Sequence, residues 1–475
     1  MTTDLSAKLA ARIMAVDAAV LDAADLEQIA RLLYDVAACA YGGTQHETVA
    51  ALRRWAAPYA GAGTAGIIGA GLRVPAPVAA LVNGTAAHSY ELDDTHDSSM
   101  SHPGSVVIPA ALAVAAECGS TGRELVAAIV AGYEAMTRVG MAANASHVIE
   151  FGFHPTALFG GFGAAAAAAR LKRVDSRGLR CAWGHVLSMA GGSMQFSDET
   201  AGTAVKRMHA GYASQQGVLA VQMARAGIEA PQHALDGKYG FLKLFGREAR
   251  PELLAGERDR LTIHDISFKP YACCRQFHSM IDGLRAATDD LANTRSIEAI
   301  TVRGPRVLAD QHMLRRPASP MAAQYSLPYV VGATLELGPM RYDAFAFENL
   351  GSPDILRWAD MVEVGYDGEM QAQYPSHFGT EVEVRFTGGG SRTERVLDSR
   401  GTPARPFTWE HLCEKAFALT SQCEPPLDLA LLRETVQGMA SAEDVSALNR
   451  LLTDAPMAGP RTGRSDLMAG LPPTA

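Results

Sequence analysis

The strongest constraint on the fold is a series of apolar, alanine-rich segments in the first half of the chain. Residues 110–117 and 124–139 would be apolar on almost every side of a helix, and alanine fills all six positions from Ala164 to Ala169. Because a helix without a polar face cannot lie against water, such helices are buried among other helices. Apolar residues also recur at steps of three and four over residues 26–37, as in an amphipathic helix. The sequence therefore predicts a large helical bundle.

The sequence pattern changes near residue 262. Residues 297–302 and 361–364 have the composition of strands, and Val382, Val384 and Phe386 alternate with charged residues ahead of a glycine-rich turn. Helical periodicity returns over residues 409–419 and 427–452. This order predicts an α+β segment inserted into a helical domain.

We therefore predict a mainly α fold, with a large all-helical domain built from the N- and C-terminal segments and a smaller inserted α+β lid domain. The predicted parts are helical residues 1–265, lid residues 266–405, returning helical residues 406–455 and a flexible tail, 456–475. A cleft between two such domains is a favoured place for a small-molecule site.

Composition narrows the possible partners. The chain has 42 Lys+Arg against 51 Asp+Glu, a net charge of -9, and no basic run, so we expect no nucleic-acid partner. The N-terminus lacks a signal pattern, and apolar stretches such as residues 125–129 are predicted to be too short to span a membrane. Seven cysteines without motif spacing indicate reduced thiols. We expect a cytoplasmic protein with no membrane partner.

The sequence contains neither a complete nucleotide-binding motif nor a serine-hydrolase motif. Gly160–Gly163 precedes the alanine run, but no GK[ST] follows and no strand leads into it, so a nucleotide loop is not expected. No G-x-S-x-G motif is present to indicate a serine hydrolase. Close helix packing is the better explanation of the glycines.

Four segments place polar side chains in apolar surroundings: residues 83–104, 152–156, 203–211 and 268–278. Together they supply histidines, acids and lysines, which suit proton transfer beside a carboxylate. Such a reaction builds negative charge that fixed cations must stabilise, while a histidine or acid moves the proton. Lys206, Arg207 and Lys269 can supply the local positive field that the acidic chain otherwise lacks.

Other interpretations of these segments remain open. A metal site is conceivable from five residues of the first segment, although no recognised ligand spacing such as HExxH is present: His88, Asp93, Asp94, His96 and His102. Alternative interpretations are that Asp93 or Asp94 caps a helix and that Lys206 with Arg207 lies on a solvated helix face.

The same segments resemble the MmgE/PrpD family. Asn83-Gly84-Thr85-x-x-His88-x-x-Glu91-x-Asp93-Asp94-Thr95, followed by His102-Pro103, is similar to the family signature. Boxes at 152–156, 206–211, 269–278 and 326–329 follow in family order. The histidine of the second box resembles the decarboxylase and epimerase branches more than the methylcitrate dehydratases. The similarity spans about residues 5–450.

The resemblance implies a helical domain, a smaller lid domain, a homodimer and catalysis without a metal ion or organic cofactor. It implies five catalytic residues: His102, His154, Lys206, His278 and Glu91. Of these, His102 and His154 are the leading candidates for proton transfer. It implies a second set that binds the substrate: Thr95, Asp94, Lys269, Tyr329 and Arg207.

The implied activity is that of a cofactor-independent lyase, a dehydratase or decarboxylase, acting on a small di- or tricarboxylic acid such as a citrate- or aconitate-like compound. Two alternatives stay open. An epimerase of a dicarboxylate would need proton-transfer groups on opposite faces of one carbon, such as His102 with His278 or Lys269. A non-catalytic protein would bind the carboxylate without changing it.

Overall fold

The computed structural model describes residues 4–197, 203–311 and 313–454. It is mainly helical, as predicted. Twelve α-helices lie in the described part of the chain before residue 260: α1 Leu5–Met14, α2 Ala23–Gly43, α3 Glu47–Ala56, α4 Ala76–Ala87, α5 Gly104–Cys118, α6 Gly122–Ala143, α7 Ala145–Glu150, α8 Pro155–Leu171, α9 Ser176–Met189, α10 Val205–Arg225, α11 Phe241–Leu244 and α12 Glu252–Ala255. This region is not all helical, because a short antiparallel hairpin joins β1 (Ala65–Ile67) to β2 (Leu72–Val74).

The alanine-rich helices form the centre of this bundle. Ala164–Ala169 lie within α8, which packs against α5, α6 and α10, and every one of these alanines is buried. The glycines before them are helical too, so the segment is a packing element and not a nucleotide loop. Helix α6 is long and apolar enough to cross a membrane, contrary to the sequence-based expectation, but its apolar window is completely buried inside the protein.

Close contact between α4 and α10 brings two site-bearing segments together. A Cβ atom on Gly84 would lie 2.9 Å from the Cα atom of Gly211, and one on Gly211 would lie 2.3 Å from the carbonyl oxygen of Leu81. Only glycine at both positions lets the backbones approach this far. The end of α4, at His88, therefore lies beside the start of α10, at Lys206.

The second part of the chain is built around a four-stranded sheet in the order β6-β5-β7-β8. Strand β5 pairs in parallel with β6 and antiparallel with β7, and β7 forms the predicted hairpin with β8. The strands are β5 Ile297–Gly304, β6 Val362–Tyr366, β7 Thr380–Phe386 and β8 Ser391–Val396. The helices around them are α13 His278–Ala287, α14 Arg306–Gln311, α15 Pro320–Gln324, α16 Leu327–Leu337, α17 Phe347–Leu350, α18 Pro353–Asp360 and α19 Gly368–Gln373.

The buried apolar residues form two clusters. The larger one contains the early helices and also α20 (Trp409–Thr420), α21 (Leu429–Gln437) and α22 (Ser446–Thr453), so the chain does return to the helical part. The smaller one surrounds the sheet. A two-residue strand on each side, β3 (Thr95–His96) and β4 (Ile266–Ser267), links the site-bearing loop to the start of the second part. The predicted tail, 456–475, lies outside the described residues.

Candidate active site

The centre of the candidate site is the loop between α4 and α5, which follows the close contact described above. It carries His88, Glu91, Asp93 and His102, and all four side chains are buried. Side chains from three other segments meet this loop: His154 before α8, Lys206 and His209 on α10, and Lys269 after β4. We call these eight residues the polar cluster. Each is less than a tenth exposed, so their charges act in a medium that screens them far less than water does.

Glu91 is the anionic centre of the polar cluster. One oxygen of its carboxylate accepts a hydrogen bond from Lys206 Nζ, and the other lies 3.8 Å from Lys269 Nζ. The hydroxyl of Tyr325 donates to the second oxygen at 3.3 Å. Burial acts to raise the pKa of Glu91, but the two ammonium groups outweigh it and hold the pKa well below its usual range. Glu91 is therefore ionised at neutral pH.

The backbone at Glu91 is strained, because its φ of 57° lies in the left-handed region that a glutamate rarely adopts. A residue held there costs on the order of 1–3 kcal/mol and persists only where its surroundings determine the conformation. The ion pair with Lys206 is one such contact. Strain of this kind is concentrated at functional sites, which is consistent with the location of Glu91.

Lys206 is the second residue of α10 and is completely buried. Desolvation lowers its pKa, and the attraction of Glu91 opposes this shift. The interpretation of Lys206 as part of a solvated helix face is therefore wrong. Lys269 is also completely buried, and its Nζ has no hydrogen-bond partner among the described residues. An unsatisfied buried ammonium group is costly unless it has a ligand, which makes Lys269 available to a substrate carboxylate.

His88, Asp93 and His102 form a second group in the polar cluster. His88 Nδ1 lies 2.7 Å from Asp93 Oδ2, and His102 Nδ1 lies 2.9 Å from the backbone oxygen of Asp94. Because a carbonyl only accepts, Nδ1 of His102 carries the proton and Nε2 of the neutral ring is a free base. Burial lowers the pKa of His102 to about 3, against the opposing effect of Asp93. His102 is therefore a neutral base at physiological pH.

His154 lies at the start of α8, where the following proline favours the extended backbone that it adopts. Its ring centroid is 6.3 Å from that of His102 and 5.9 Å from that of His88. Its Nδ1 lies 3.1 Å from Nδ1 of His209. Burial, followed by the charge of Lys206, holds the pKa of His154 well below its usual range.

The metal interpretation can be tested on this geometry. Ligand atoms of His88, Asp93 and His102 lie within 4.8 Å of one another, so these three residues could hold an ion. Asp93 Oδ2 accepts from His88 Nδ1 and lies 3.7 Å from His102 Nδ1, whereas His88 Nε2 and Asp93 Oδ1 have no hydrogen-bond partner among the described residues. The buried ammonium groups of Lys206 and Lys269 would also repel a cation here. Of the remaining candidates, Asp94 and His96 bond elsewhere.

Six of the ten predicted site residues come together here: Glu91, Thr95, His102, His154, Lys206 and Lys269. Thr95 Oγ1 lies 3.4 Å from His102 Nδ1. Asp94 instead accepts hydrogen bonds from the hydroxyl of Tyr133 and from the backbone of Gly104, at the start of α5. The hydrogen bond from Gly104 supports the alternative interpretation of Asp94 as a helix-capping residue.

The other three predicted residues have different partners. Arg207 donates to the backbone oxygen of Ser89 and, at 2.9 Å, to Gln324 Oε1. His278 packs against Tyr271, with its Nε2 3.4 Å from the carbonyl oxygen of Cys273. Tyr329 donates to the carbonyl oxygen of Ala344. No side-chain hydrogen bond, ion pair or ring contact joins these three residues to the polar cluster in the part of the chain that the structure describes.

The sequence-based selection did not include Tyr325 or His209. Tyr325 lies four residues before the selected Tyr329, on the other side of the Ser326-Leu327-Pro328 box, and its hydroxyl contacts Glu91. His209 lies three residues after Lys206, so the two share a face of α10. That spacing was a signal in the sequence that could have identified His209.

Comparison with known proteins identifies the family of this chain. The sequence matches the MmgE/PrpD N-terminal domain over residues 7–254 and the MmgE/PrpD C-terminal domain over residues 271–430. The chain belongs to the MmgE/PrpD family. The expected family membership is thus confirmed, and every residue of the polar cluster except Lys269 falls inside the range matched by the N-terminal domain.

Several MmgE/PrpD relatives have a named activity. Cis-aconitate decarboxylase of Aspergillus terreus is 28% identical over 456 residues, which cover 90% of this chain and 91% of that protein. Cis-aconitate decarboxylase of Homo sapiens is 27% identical over 394 residues, 80% of each chain. The Mus musculus enzyme of the same name is 26% identical over 394 residues, 80% of this chain and 79% of its own. Family and relatives together support a lyase that acts on a carboxylic acid.

Proposed function

We propose that this MmgE/PrpD protein is a cofactor-independent lyase that decarboxylates a small unsaturated tricarboxylate of the cis-aconitate type. The observation that carries the proposal is the buried carboxylate of Glu91 between Lys206 and Lys269, beside the imidazoles of His102 and His154. Two buried cations next to neutral bases form a site that can bind a polyanion and move a proton. The relatives named for cis-aconitate decarboxylation support this choice of substrate.

In the proposed reaction, Lys206 and Lys269 bind the substrate carboxylates that remain in the product. The bond to the departing carboxylate breaks, carbon dioxide leaves, and the electron pair stays on the substrate carbon. The two ammonium groups stabilise this charge, because they are already oriented and little water competes with them. The negative charge of the bound substrate offsets the burial that keeps His154 and His102 neutral, so one of these rings takes up a proton from the solvent together with the substrate and then gives it to the carbanion.

The experiment is to incubate the protein with cis-aconitate, citrate-like acids and amino-dicarboxylates in deuterated water and follow each by proton NMR. Decarboxylation predicts a product with one carboxylate fewer and deuterium on the carbon that lost it. Lys206→Met should abolish this signal, whereas Lys243→Met, an exposed lysine on α11, should leave it unchanged. Loss of water without carbon dioxide would contradict decarboxylation and indicate a dehydratase.

An epimerase is the second candidate, because His102 and His154 present two imidazoles about 6 Å apart that could flank one carbon. The same experiment separates it from a lyase. An epimerase would exchange the hydrogen next to a carboxylate for deuterium without net loss of water or carbon dioxide. Unchanged spectra for every acid, with saturable binding of one of them, would instead indicate a carboxylate-binding protein.

We also propose that residues 266–405 close over the ligand as a lid. Lys269 and Tyr325 belong to this segment and reach Glu91 in the helical part, so a ligand at Glu91 would contact both sides. Closure would exclude water and strengthen the field of the two lysines. Protection of residues 265–280 from hydrogen exchange should rise when the ligand is added. Equal protection with and without ligand would count against a lid.

We further propose that the enzyme acts in the cytoplasm as a homodimer that needs neither metal ion nor organic cofactor. Lys206 and Lys269 supply the positive charge that a metal ion would otherwise bring to the carboxylates. Activity should therefore survive dialysis against a chelator, and the mass in solution should be that of two chains. Recovery of lost activity by one divalent ion would contradict the proposal.

A further inference from the structure

The contact between His154 and His209 has a chemical consequence that the proposed function does not contain. Their Nδ1 atoms lie 3.1 Å apart, which is hydrogen-bonding distance. If both Nδ1 atoms carried a proton, the two hydrogens would clash. If neither carried one, the two nitrogen lone pairs would face and repel each other. One proton therefore lies between the two rings and belongs to one ring at a time.

This single proton couples the far sides of the two rings. In a neutral pair each imidazole holds one proton, so the ring that donates through Nδ1 has a bare Nε2, and the ring that accepts has a protonated Nε2. No hydrogen bond from either Nε2 atom to another group is found in the described part of the chain. The position of the shared proton therefore determines whether His154 Nε2 presents a proton or a lone pair to a substrate.

The surroundings explain why a shared proton is useful at this place. Burial lowers the pKa of both rings, and among the described residues the charged and titratable groups that lower it further are Lys206, His209, His88 and His102 for His154, and His88 and Lys206 for His209. Phe196 covers both rings with its edge, at centroid distances of 6.1 and 5.6 Å. A lone imidazolium at His154 would face Lys206 in this dry environment. Spreading the charge over two rings reduces that repulsion.

We propose that His209 is a positioning residue for His154 and that the two histidines carry a catalytic proton as one unit. The proposal rests on the function proposed above, in which His154 faces the substrate. Before decarboxylation the pair holds one extra proton, which is taken up from the bulk solvent together with the anionic substrate. When His154 Nε2–H gives its proton to the carbanion, the Nδ1 proton of His209 moves to His154 Nδ1. His209 ends neutral, and His154 ends neutral with a bare Nε2.

In the opposite direction the same unit removes a proton. A carbon–hydrogen bond breaks, its electron pair stays on the carbon, and the proton joins His154 Nε2. The Nδ1 proton of His154 then moves to His209, which carries the positive charge one ring further from the substrate. Each step conserves protons and charge, and no further reactant is needed.

The test uses two substitutions of His209. His209→Asn places an amide near the former Nδ1 position, so it can keep the hydrogen bond to His154 but cannot accept its proton. His209→Ala removes both functions. We expect kcat to fall at least about tenfold in both variants, with KM within twofold, because proton transfer is impaired while carboxylate binding is not. His233→Asn, at an exposed histidine, is the matched control and should match wild type. A wild-type kcat in His209→Asn would overturn the proposal.

A second measurement does not depend on turnover. In protein labelled with ¹⁵N-histidine, the rings of His154 and His209 should titrate with one common midpoint, and in His209→Asn the midpoint of His154 should move to lower pH. Independent midpoints in wild type would overturn the proton sharing. If no acid is turned over by the wild-type protein, the proposed function fails, and this titration still decides whether the pair exists.

Discussion

The ammonium group of Lys415 lies 2.5 Å from the backbone oxygen of Leu92, the residue between Glu91 and Asp93. The same group lies 2.6 Å from Asp35 Oδ1, and both charged side chains are only 2% exposed. Helix α20, from the end of the chain, and α2, from its beginning, therefore hold the peptide that carries the anionic centre of the site. This contact helps to explain how Glu91 is kept in its strained conformation.

Lys415→Met should destabilise the protein by about 3–5 kcal/mol, because it leaves Asp35 buried without a counter-charge. The second oxygen of Asp35 already has no hydrogen-bond partner among the described residues, so no other group can compensate. Asp35→Asn/Lys415→Met should be destabilised less than the single variant, since the unpaired charge is gone. Urea unfolding of the three proteins measures both differences. A single variant within about 1 kcal/mol of wild type would contradict this role.

Lys206→Met should reduce kcat/KM by a factor of about 100 or more, because one of the two cations that face developing negative charge is lost. Removing this ammonium group should also raise the pKa of Glu91, since its attraction is the largest force that lowers it. Steady-state kinetics with the substrate found by NMR measures the loss. Lys206→Arg is the informative partner, because it keeps the charge but changes its shape. If Lys206→Met kept full activity, the electrostatic basis of the site would be wrong.

Tyr325→Phe and Tyr329→Phe form a matched pair, because each removes one hydroxyl group from neighbouring tyrosines. The hydroxyl of Tyr325 donates to Glu91, whereas that of Tyr329 donates to the backbone oxygen of Ala344. We expect Tyr325→Phe to lower kcat about tenfold. Tyr329→Phe should cost about 1 kcal/mol of stability and leave kcat unchanged. A lower kcat in Tyr329→Phe and an unchanged kcat in Tyr325→Phe would identify Tyr329 as the site residue. Steady-state kinetics and thermal unfolding measure the two effects.

Stability should fall as the pH decreases below about 6.5, and His96 is a suitable probe. Burial lowers the pKa of His96 to about 4 in the folded protein, against 6.5 in the unfolded chain. Between these values the unfolded chain binds the proton and the folded one does not, so acid favours unfolding by about 1.4 kcal/mol per pH unit. His96→Gln should lose this part of the slope.

The comparison of His96→Gln with wild type at pH 6.5 and pH 5 isolates this effect. Burial raises the pKa of Asp94 to about 7, which has the opposite sign, because a carboxyl group that stays protonated in the folded state favours folding as the pH falls. That contribution is the same in both proteins and cancels in the difference. Between pH 6.5 and pH 5, the free energy of unfolding of wild type should fall by about 1.6 kcal/mol more than that of His96→Gln, as measured by denaturant unfolding. Equal decreases in the two proteins would show that folding does not lower the pKa of His96.

Much of the fold could be predicted from the sequence because its strongest signals are local. An apolar helix such as α8 must be buried wherever it lies, and the alternation over residues 382–386 with the glycines after it identifies a hairpin in any fold. Helix α20 agrees with the periodicity over residues 409–419, whereas α2 extends beyond the periodic residues 26–37 at both ends. The short β1–β2 hairpin was missed, because strands of three residues have too little pattern to detect.

The site could be predicted only as a set of candidate residues. The sequence motifs, taken in family order, identified five candidates: Glu91, His102, His154, Lys206 and Lys269. Histidines, acids and lysines in apolar surroundings indicate a functional site by themselves. The sequence could not show that Glu91 pairs with both lysines, because those contacts join positions 115 and 178 residues away.

Which member of a box faces the site was decided by tertiary structure alone. Tyr325 caps the C-terminal end of α15 and its hydroxyl contacts Glu91. Tyr329 is only four residues further along the chain, but it lies in α16 and its hydroxyl donates to the carbonyl oxygen of Ala344. Asp94 turns toward α5, while its neighbour Asp93 joins His88. Sequence determines which chemical groups are available and which segments are buried. The direction of each side chain depends on how the helices pack, and packing is set by contacts between distant parts of the chain.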